Sequence, residues 1–122
     1  MSSSDKVVIL ERADALGRFS SVCNTLSEAN WQVMSVPSLS PADIYDRATS
    51  EGFDVTTAYL VTASRQTVIC CHDIGCNIVF VGVAEFPEDL QPLYVARDED
   101  DAADFITTAK LIFGRFKVPV GG

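Results

Sequence analysis

The sequence predicts a three-layer α/β domain in which a parallel sheet lies between two layers of helices. Short runs such as Lys6 to Leu10 and Asn77 to Ala84 are almost continuously apolar, as in strands that helices cover on both sides. Segments with helical apolar spacing alternate with these runs, and such alternation is typical of parallel sheets with right-handed crossovers. The length of 122 residues predicts one domain over residues 1–122, with a flexible tail at residues 118–122.

The first half of the chain predicts two complete strand–helix units. After the first strand, residues 14–29 carry an apolar stripe at helical spacing. Trp31 to Val36 predicts the second strand. The next helix begins at Ser40, because its hydroxyl can cap free amides and Pro41 suits the first turn. Gly52 is a natural end for this helix.

The second half continues the alternation, but its helices are weaker. Phe53 to Val61 predicts the third strand, and residues 62–73 fit either a helix or a strand. Asn77 to Ala84 predicts the fourth strand and Leu93 to Ala96 the fifth. Residues 98–116 are the clearest helix, since their apolar positions form one stripe.

This arrangement predicts a set of buried strand residues, namely Val8, Ile9, Ile78, Phe80 and Val95. The main alternative in this part of the chain is an antiparallel hairpin between residues 67–71 and 77–81. The connector between them, Asp73 to Gly75, is short enough for such a hairpin.

Charge and hydropathy exclude several classes of protein. The chain has 9 Lys and Arg against 17 Asp and Glu, a net charge of −8, whereas nucleic-acid binding needs basic groups that displace phosphate counterions. No window approaches the roughly 18 apolar residues of a membrane span. The N-terminus lacks the basic and apolar regions of a signal peptide. We therefore expect a cytoplasmic protein with reduced cysteines that binds neither nucleic acid nor membrane.

The end of the chain resembles the closing segment of response-regulator receiver domains. Pro92 to Arg97 reads as a strand followed by a basic residue, the acidic residues 98–101 come next, and an apolar helix follows. The length and the five strand–helix units are also typical of receivers. The resemblance implies a flavodoxin-like fold with a five-stranded parallel sheet in the order 2-1-3-4-5. A ferredoxin-like α+β fold is the alternative.

The residues that would carry receiver phosphorylation chemistry are missing. The resemblance implies paired acids after the first strand, but residues 10–14 place at most one acid there, beside Arg12. It implies an acceptor aspartate at the end of the third strand, which we count as Ala58 to Leu60, and a hydroxyl residue within Gly82 to Ala84; both are absent. Arg97 replaces the expected lysine. Because phosphoryl transfer of this kind needs an aspartate nucleophile and a metal, we interpret the chain as a pseudo-receiver with no catalytic residue and no cofactor.

The most concentrated metal-ligating residues are Cys70, Cys71, His72 and Cys76. Zinc sites usually use two spaced pairs, whereas these four residues lie in one short segment with no Cys-x-x-Cys. We therefore interpret them as packed thiols and a surface histidine and predict no metal site, although the sequence leaves metal binding open.

The negative charge is concentrated near the end of the chain. Residues 85–104 hold eight acids and one base, which is −7 of the net −8. Such a surface steers a basic protein partner, although acids in the first turn of a helix also suit its dipole. We predict a protein-binding surface around residues 85–116, with these candidate contact residues: Glu85, Phe86, Glu88, Asp89, Tyr94, Asp101 and Asp104.

Three functional classes fit these observations. The leading interpretation is a non-catalytic signalling or scaffold module, with pairing of two copies as an open alternative. The second is an acidic inhibitor or immunity-type protein that blocks a basic partner. The third is an ACT-type sensor of small molecules, because residues 7–36 also fit the opening of such a domain. An antiparallel sheet would support this third class.

Overall fold

Strands and helices alternate along residues 6–116, the part of the chain that the structure describes, with side chains to residue 108. The structure is a computed structural model. Its elements are β1 Val7–Glu11, α1 Arg12–Leu16, α2 Ser20–Glu28, β2 Gln32–Val36, α3 Pro41–Glu51, β3 Tyr59–Thr62, α4 Arg65–Cys71, β4 Asn77–Val81, β5 Tyr94–Ala96 and α5 Glu99–Phe116. Short 3₁₀ turns, Val55–Thr57 and His72–Ile74, precede β3 and β4. The predicted tail at residues 118–122 lies outside the described residues.

All five strands are parallel and lie in the order β2-β1-β3-β4-β5, which confirms the predicted fold class. The possible hairpin is excluded, because residues 65–71 form a helix and β3 pairs in parallel with β4. The ferredoxin-like alternative is wrong for the same reason. The parallel sheet also removes the support for an ACT-type sensor, since that class requires an antiparallel sheet.

Each face of the sheet has its own apolar core. On one face, which we call the α3/α4 face, Ile9, Ile78 and Phe80 pack with residues of α3 and α4. On the other, the α2/α5 face, Val8 packs with residues of α2 and α5. The predicted burial of these four strand residues is confirmed. The prediction for Val95 is wrong: its side chain is 44% exposed.

The predicted helix boundaries hold where capping groups define them. The Ser40 hydroxyl accepts a hydrogen bond from the N–H of Asp43 at 3.3 Å, and Gly52 ends α3 with φ +78°. The single helix predicted over residues 14–29 is wrong. Gly17 leaves the helical conformation and separates α1 from α2, and Leu16 beside it is 80% exposed.

The third strand begins later than the sequence predicts. The Asp54 carboxylate accepts hydrogen bonds from the N–H of Thr56 at 2.9 Å and from its hydroxyl at 2.7 Å, and these bonds fix a 3₁₀ turn where a strand is predicted. The strand therefore ends at Thr62 and not at Ala58 to Leu60. Residues 65–71, in the ambiguous segment, form a helix.

The connection between β4 and β5 contains no helix, unlike the other connections of the sheet. We call residues 82–93 the crossover. The predicted fourth strand stops at Val81, because Gly82 turns the backbone with φ +132°. Residues other than glycine rarely adopt this backbone conformation. The crossover then contains one short turn, in which the N–H of Leu90 bonds to the carbonyl of Pro87 at 3.0 Å. Five complete strand–helix repeats are therefore not present.

Candidate functional site

The crossover is held against the sheet by an arginine of α4. The Nε of Arg65 donates a hydrogen bond to the carbonyl oxygen of Glu85 at 2.8 Å. The guanidinium carbon of the same side chain lies 6.0 Å from the centre of the Phe86 ring. Phe86 in turn packs edge-to-face on Phe80, with 5.1 Å between ring centres. Arg65 and Phe86 therefore fix the first half of the crossover and cover Phe80.

Beside this covered region, part of the sheet remains open to solvent. The N–H of Leu93 bonds to the carbonyl of Ile78 at 2.8 Å, so Leu93 extends β5 by one residue. Because Tyr94 and Ala96 face the α2/α5 core, Leu93 and Val95 lie on the α3/α4 face. Each is 44% exposed. We call Leu93 and Val95 the open sheet face.

The crossover, which leads into Leu93, carries three exposed acids. Glu85, Glu88 and Asp89 are exposed, and none of them forms an ion pair with a residue that the structure describes. Asp104, one turn into α5, is likewise exposed and outside any ion pair within residues 6–108. Exposed acids on the segment that leads into an apolar patch can attract basic groups, and the patch can then exclude water from a contact.

Tyr94 and Asp101, by contrast, are engaged within the molecule. The Tyr94 hydroxyl donates to both oxygens of the Asp101 carboxylate, and the N–H of Arg97 donates to the same group at 2.9 Å. The bond from the Arg97 N–H, supported by the Tyr94 hydroxyl and the Arg97 charge, lowers the pKa of Asp101. The ring of Phe105 stacks on Tyr94 with 4.1 Å between centres. These residues stabilise the junction of β5 and α5.

Polar residues also lie at the ends of β1 and β3. Thr62, at the end of β3, is 1% exposed, and its hydroxyl accepts a hydrogen bond from the N–H of Ser64 at 3.0 Å. Glu11 ends β1, and the exposed Arg12 follows it. Because β3 ends at Thr62, the observed end of this strand also lacks an acidic residue. This edge of the sheet presents one carboxylate and an arginine where the receiver resemblance implies paired acids.

The three cysteines in and after α4 differ in exposure: Cys71 is buried, Cys76 is half-buried and Cys70 is exposed. Burial raises the pKa of Cys71 to about 11 and that of Cys76 to about 12, whereas Cys70 is exposed. A thiol with a raised pKa is a poor metal ligand and a poor nucleophile, because the thiolate is the reactive form. Within residues 6–116 no three His, Cys, Asp or Glu side chains are grouped so that they could hold a metal ion.

The structure separates the predicted contact residues into two groups. The first group lies on the crossover and consists of Glu85, Phe86, Glu88 and Asp89; the second lies at the β5–α5 junction and consists of Tyr94, Asp101 and Asp104. Sequence reasoning missed Leu93, Val95 and Arg65. The two prolines of the crossover, which cannot donate backbone hydrogen bonds, were the available signal that no helix covers this strand.

Comparison with known proteins adds no family assignment. No protein-family model matches the chain, and a search of curated proteins finds no significant relative. Across residues 6–116, every helix is too short or too polar to cross a bilayer.

Proposed function

We propose that the protein is a non-catalytic signalling or scaffold module that binds a basic protein through the crossover, the open sheet face and the start of α5. The observation that carries the proposal is the exposed apolar pair Leu93 and Val95 at the end of a crossover whose acids form no ion pair with any described residue. Buried apolar anchors usually hold a complex together, whereas the surrounding charges accelerate encounter and select the partner.

The receiver-like character of the module is part of this proposal. The strand order and the acidic first turn of α5 support it. A buried threonine at the end of β3 and an arginine after β5 support the absence of phosphorylation chemistry. On this proposal the fold serves as a scaffold whose binding surface is permanently available. Free cysteines among the described residues agree with a cytoplasmic location.

Charge argues for a different protein as the partner and not for a second copy. Two copies that met through this surface would bring residues 85–104, each with a charge of −7, against one another. Juxtaposed like charges oppose association by several kcal/mol. A basic partner removes this penalty.

An acidic inhibitor or immunity-type protein is the second candidate, and the same exposed acids favour it. The two classes differ in what binding does to the partner. An inhibitor abolishes the activity of the protein that it captures, whereas a scaffold leaves that activity intact. Assay of the captured protein, free and bound, distinguishes them.

The test is affinity capture with charge-neutralised variants. One variant carries Glu85→Gln, Glu88→Gln and Asp89→Asn. The matched control removes the same charges from the opposite half of the domain: Glu28→Gln, Asp46→Asn and Glu51→Gln. We expect a basic protein to be captured by the wild type and the control and lost with the crossover variant.

Salt provides a second measurement in the same experiment. The electrostatic screening length falls from about 10 Å at 0.1 M salt to about 3 Å at 1 M, so the capture should weaken steeply over this range. Capture that is insensitive to the crossover variant, or a footprint centred on residues 11–14, would overturn the proposal.

A further inference from the structure

We infer that the element of the partner that docks here is an amphipathic helix with a basic face. This inference rests on the proposed function and specifies the partner's structure. The helix would pack on Leu93 and Val95, in the position that the β4–β5 crossover leaves without a helix.

The layer of helices on this face of the sheet is incomplete at one end. On the α3/α4 face, α3 packs beside β2, and α4 packs on β3 and β4. Parallel sheets are normally covered on both faces, because both faces of each strand are apolar. On β5 this face is only partly covered: Phe86 of the crossover packs on Phe80, and the side chains of Leu93 and Val95 remain 44% exposed. The partly uncovered strip is one strand wide.

The spacing of the exposed side chains suits a helix. Leu93 and Val95 are two residues apart on the same side of an extended strand, a separation of about 7 Å. Positions i and i+4 of a helix are separated by about 6 Å along its axis. Two apolar residues one turn apart on a partner helix can therefore lie over both side chains.

Addition of a strand is the less favourable alternative. β5 contains three residues, and the N–H of Arg97 directly after it is already bonded to the Asp101 carboxylate at 2.9 Å. So short an edge offers few free backbone groups to an extended peptide.

The charges around the strip define the rest of the partner helix. Glu85, Glu88 and Asp89 all lie on the crossover that borders the open sheet face. A helix with Leu-type residues on one face can pack on the apolar strip, and Lys or Arg on its flanks can pair with the acids of the crossover. Such a contact would combine the packing of an amphipathic helix on an apolar face with charge complementarity.

The test uses synthetic peptides as probes. The first is a peptide of about 18 residues, or five turns, composed of Leu and Lys with Leu at helical spacing. The second has the same composition with strictly alternating Leu and Lys, which favours an extended strand. Affinity is measured by fluorescence titration, peptide helicity by circular dichroism, and the contact surface by amide chemical-shift changes.

The protein variants separate the open sheet face from general attraction to an acidic protein. Leu93→Gln with Val95→Thr removes the apolar contacts, and threonine preserves the β-branched shape that the strand prefers. Leu16→Gln is the matched control, because Leu16 is also an exposed leucine but lies at the end of α1.

We expect the helical peptide to gain helicity on binding and to shift the amides around Leu93 and Val95. The double variant should weaken its binding about tenfold or more, as loss of interface anchors does, and Leu16→Gln should not. Equal binding of the alternating peptide, no gain of helicity, or equal binding by the double variant would overturn the inference.

A negative result with the peptides can be distinguished from failure of the proposed function. If the natural partner is still lost with the charge-neutralised crossover variant while the helical peptide fails the criteria above, the binding surface stands and the helix is wrong. If capture of the natural partner is insensitive to that variant, the proposed function itself is wrong.

Discussion

The Tyr94 hydroxyl donates a hydrogen bond to the Asp101 carboxylate, at 3.0 and 3.1 Å from its two oxygens. The same carboxylate accepts the N–H of Arg97, so it connects the end of β5 to the first turn of α5. Asp101 is therefore a structural group of the fold as well as a negative charge. Reversing its charge would disturb the junction, and Asp104 is the better position at which to test the effect of charge on a partner.

Asp101→Asn should destabilise the domain in a pH-dependent way. Because the folded-state pKa of Asp101 lies below its ordinary value of 3.8, the carboxylate contributes stability above that value and loses it as the pH falls through the folded pKa. The difference in melting temperature between wild type and variant should be largest near neutral pH and vanish at strongly acidic pH. Asp104→Asn is the control, because it makes the same charge change at a carboxylate that accepts no hydrogen bond from a described residue.

The same substitution should lower the pKa of Tyr94. The hydrogen bond to Asp101 raises this pKa above the ordinary value of 10.0, because ionisation of the phenol would break the bond and place two negative charges together. In Asp101→Asn the pKa should move back toward that value. An NMR titration of the Tyr94 ring measures it, and an unchanged pKa would contradict the proposed pairing.

Arg65→Ala should loosen the crossover. It removes the hydrogen bond to the Glu85 carbonyl and the contact with the Phe86 ring, an expected loss of about 1 kcal/mol. Amide hydrogen exchange should accelerate in residues 83–93. Arg47→Ala is the control, because Arg47 makes a comparable bond, 3.0 Å long, to the carbonyl of Ser35 in β2. If the amides of residues 83–93 exchange at the same rate in Arg65→Ala and Arg47→Ala, Arg65 does not hold the crossover.

Thiol modification should be confined at first to Cys70. It is exposed, whereas burial raises the pKa of Cys71 to about 11 and that of Cys76 to about 12. Burial also raises the pKa of the half-buried Cys23. Alkylation near neutral pH should modify one site rapidly, and Cys70→Ser should abolish this phase. Rapid labelling that persists in Cys70→Ser would contradict this prediction, because it would mean that Cys23, Cys71 or Cys76 is accessible to the reagent.

Small phosphodonors should not phosphorylate the protein. Thr62 ends β3, where the proposed receiver resemblance would require an acceptor aspartate, and its buried hydroxyl already accepts a hydrogen bond from the N–H of Ser64. Incubation with acetyl phosphate and magnesium, followed by intact-mass measurement, should show no added phosphate. Stoichiometric addition would contradict the interpretation of the chain as a pseudo-receiver.

The sequence predicts the sheet well because its strands are buried on both faces. Continuous apolar runs identify β1 and β4, and local caps such as Ser40 fix helix starts without reference to the rest of the fold. The errors arise where one residue redirects the backbone. Gly17 divides a periodic helical segment, and Asp54 creates a turn by bonding to Thr56. Neither effect is visible in apolar periodicity.

The candidate surface is less predictable than the fold. Composition locates the acids, but it does not distinguish the engaged Asp101 from the exposed Asp104. Val95 is apolar and lies in a strand, so its pattern predicts burial. Its exposure depends on the absence of a helix in the crossover, which is a property of tertiary structure. The apolar part of the surface, Leu93 and Val95, could therefore be identified only from the structure.

The complete burial of Val7 to Leu10 in β1 has a consequence for how the alignment of this strand in the sheet is specified. All four residues from Val7 to Leu10 are 0% exposed, and all are apolar. A register slip of one residue would exchange apolar side chains between the two cores, so hydrophobicity alone discriminates weakly against it. The polar residues at the strand's ends, Lys6 and Glu11, provide the discrimination, because a slip would draw one of them inward at a cost of several kcal/mol. Replacing these two boundary residues with apolar ones would therefore remove the main penalty against misaligned sheets.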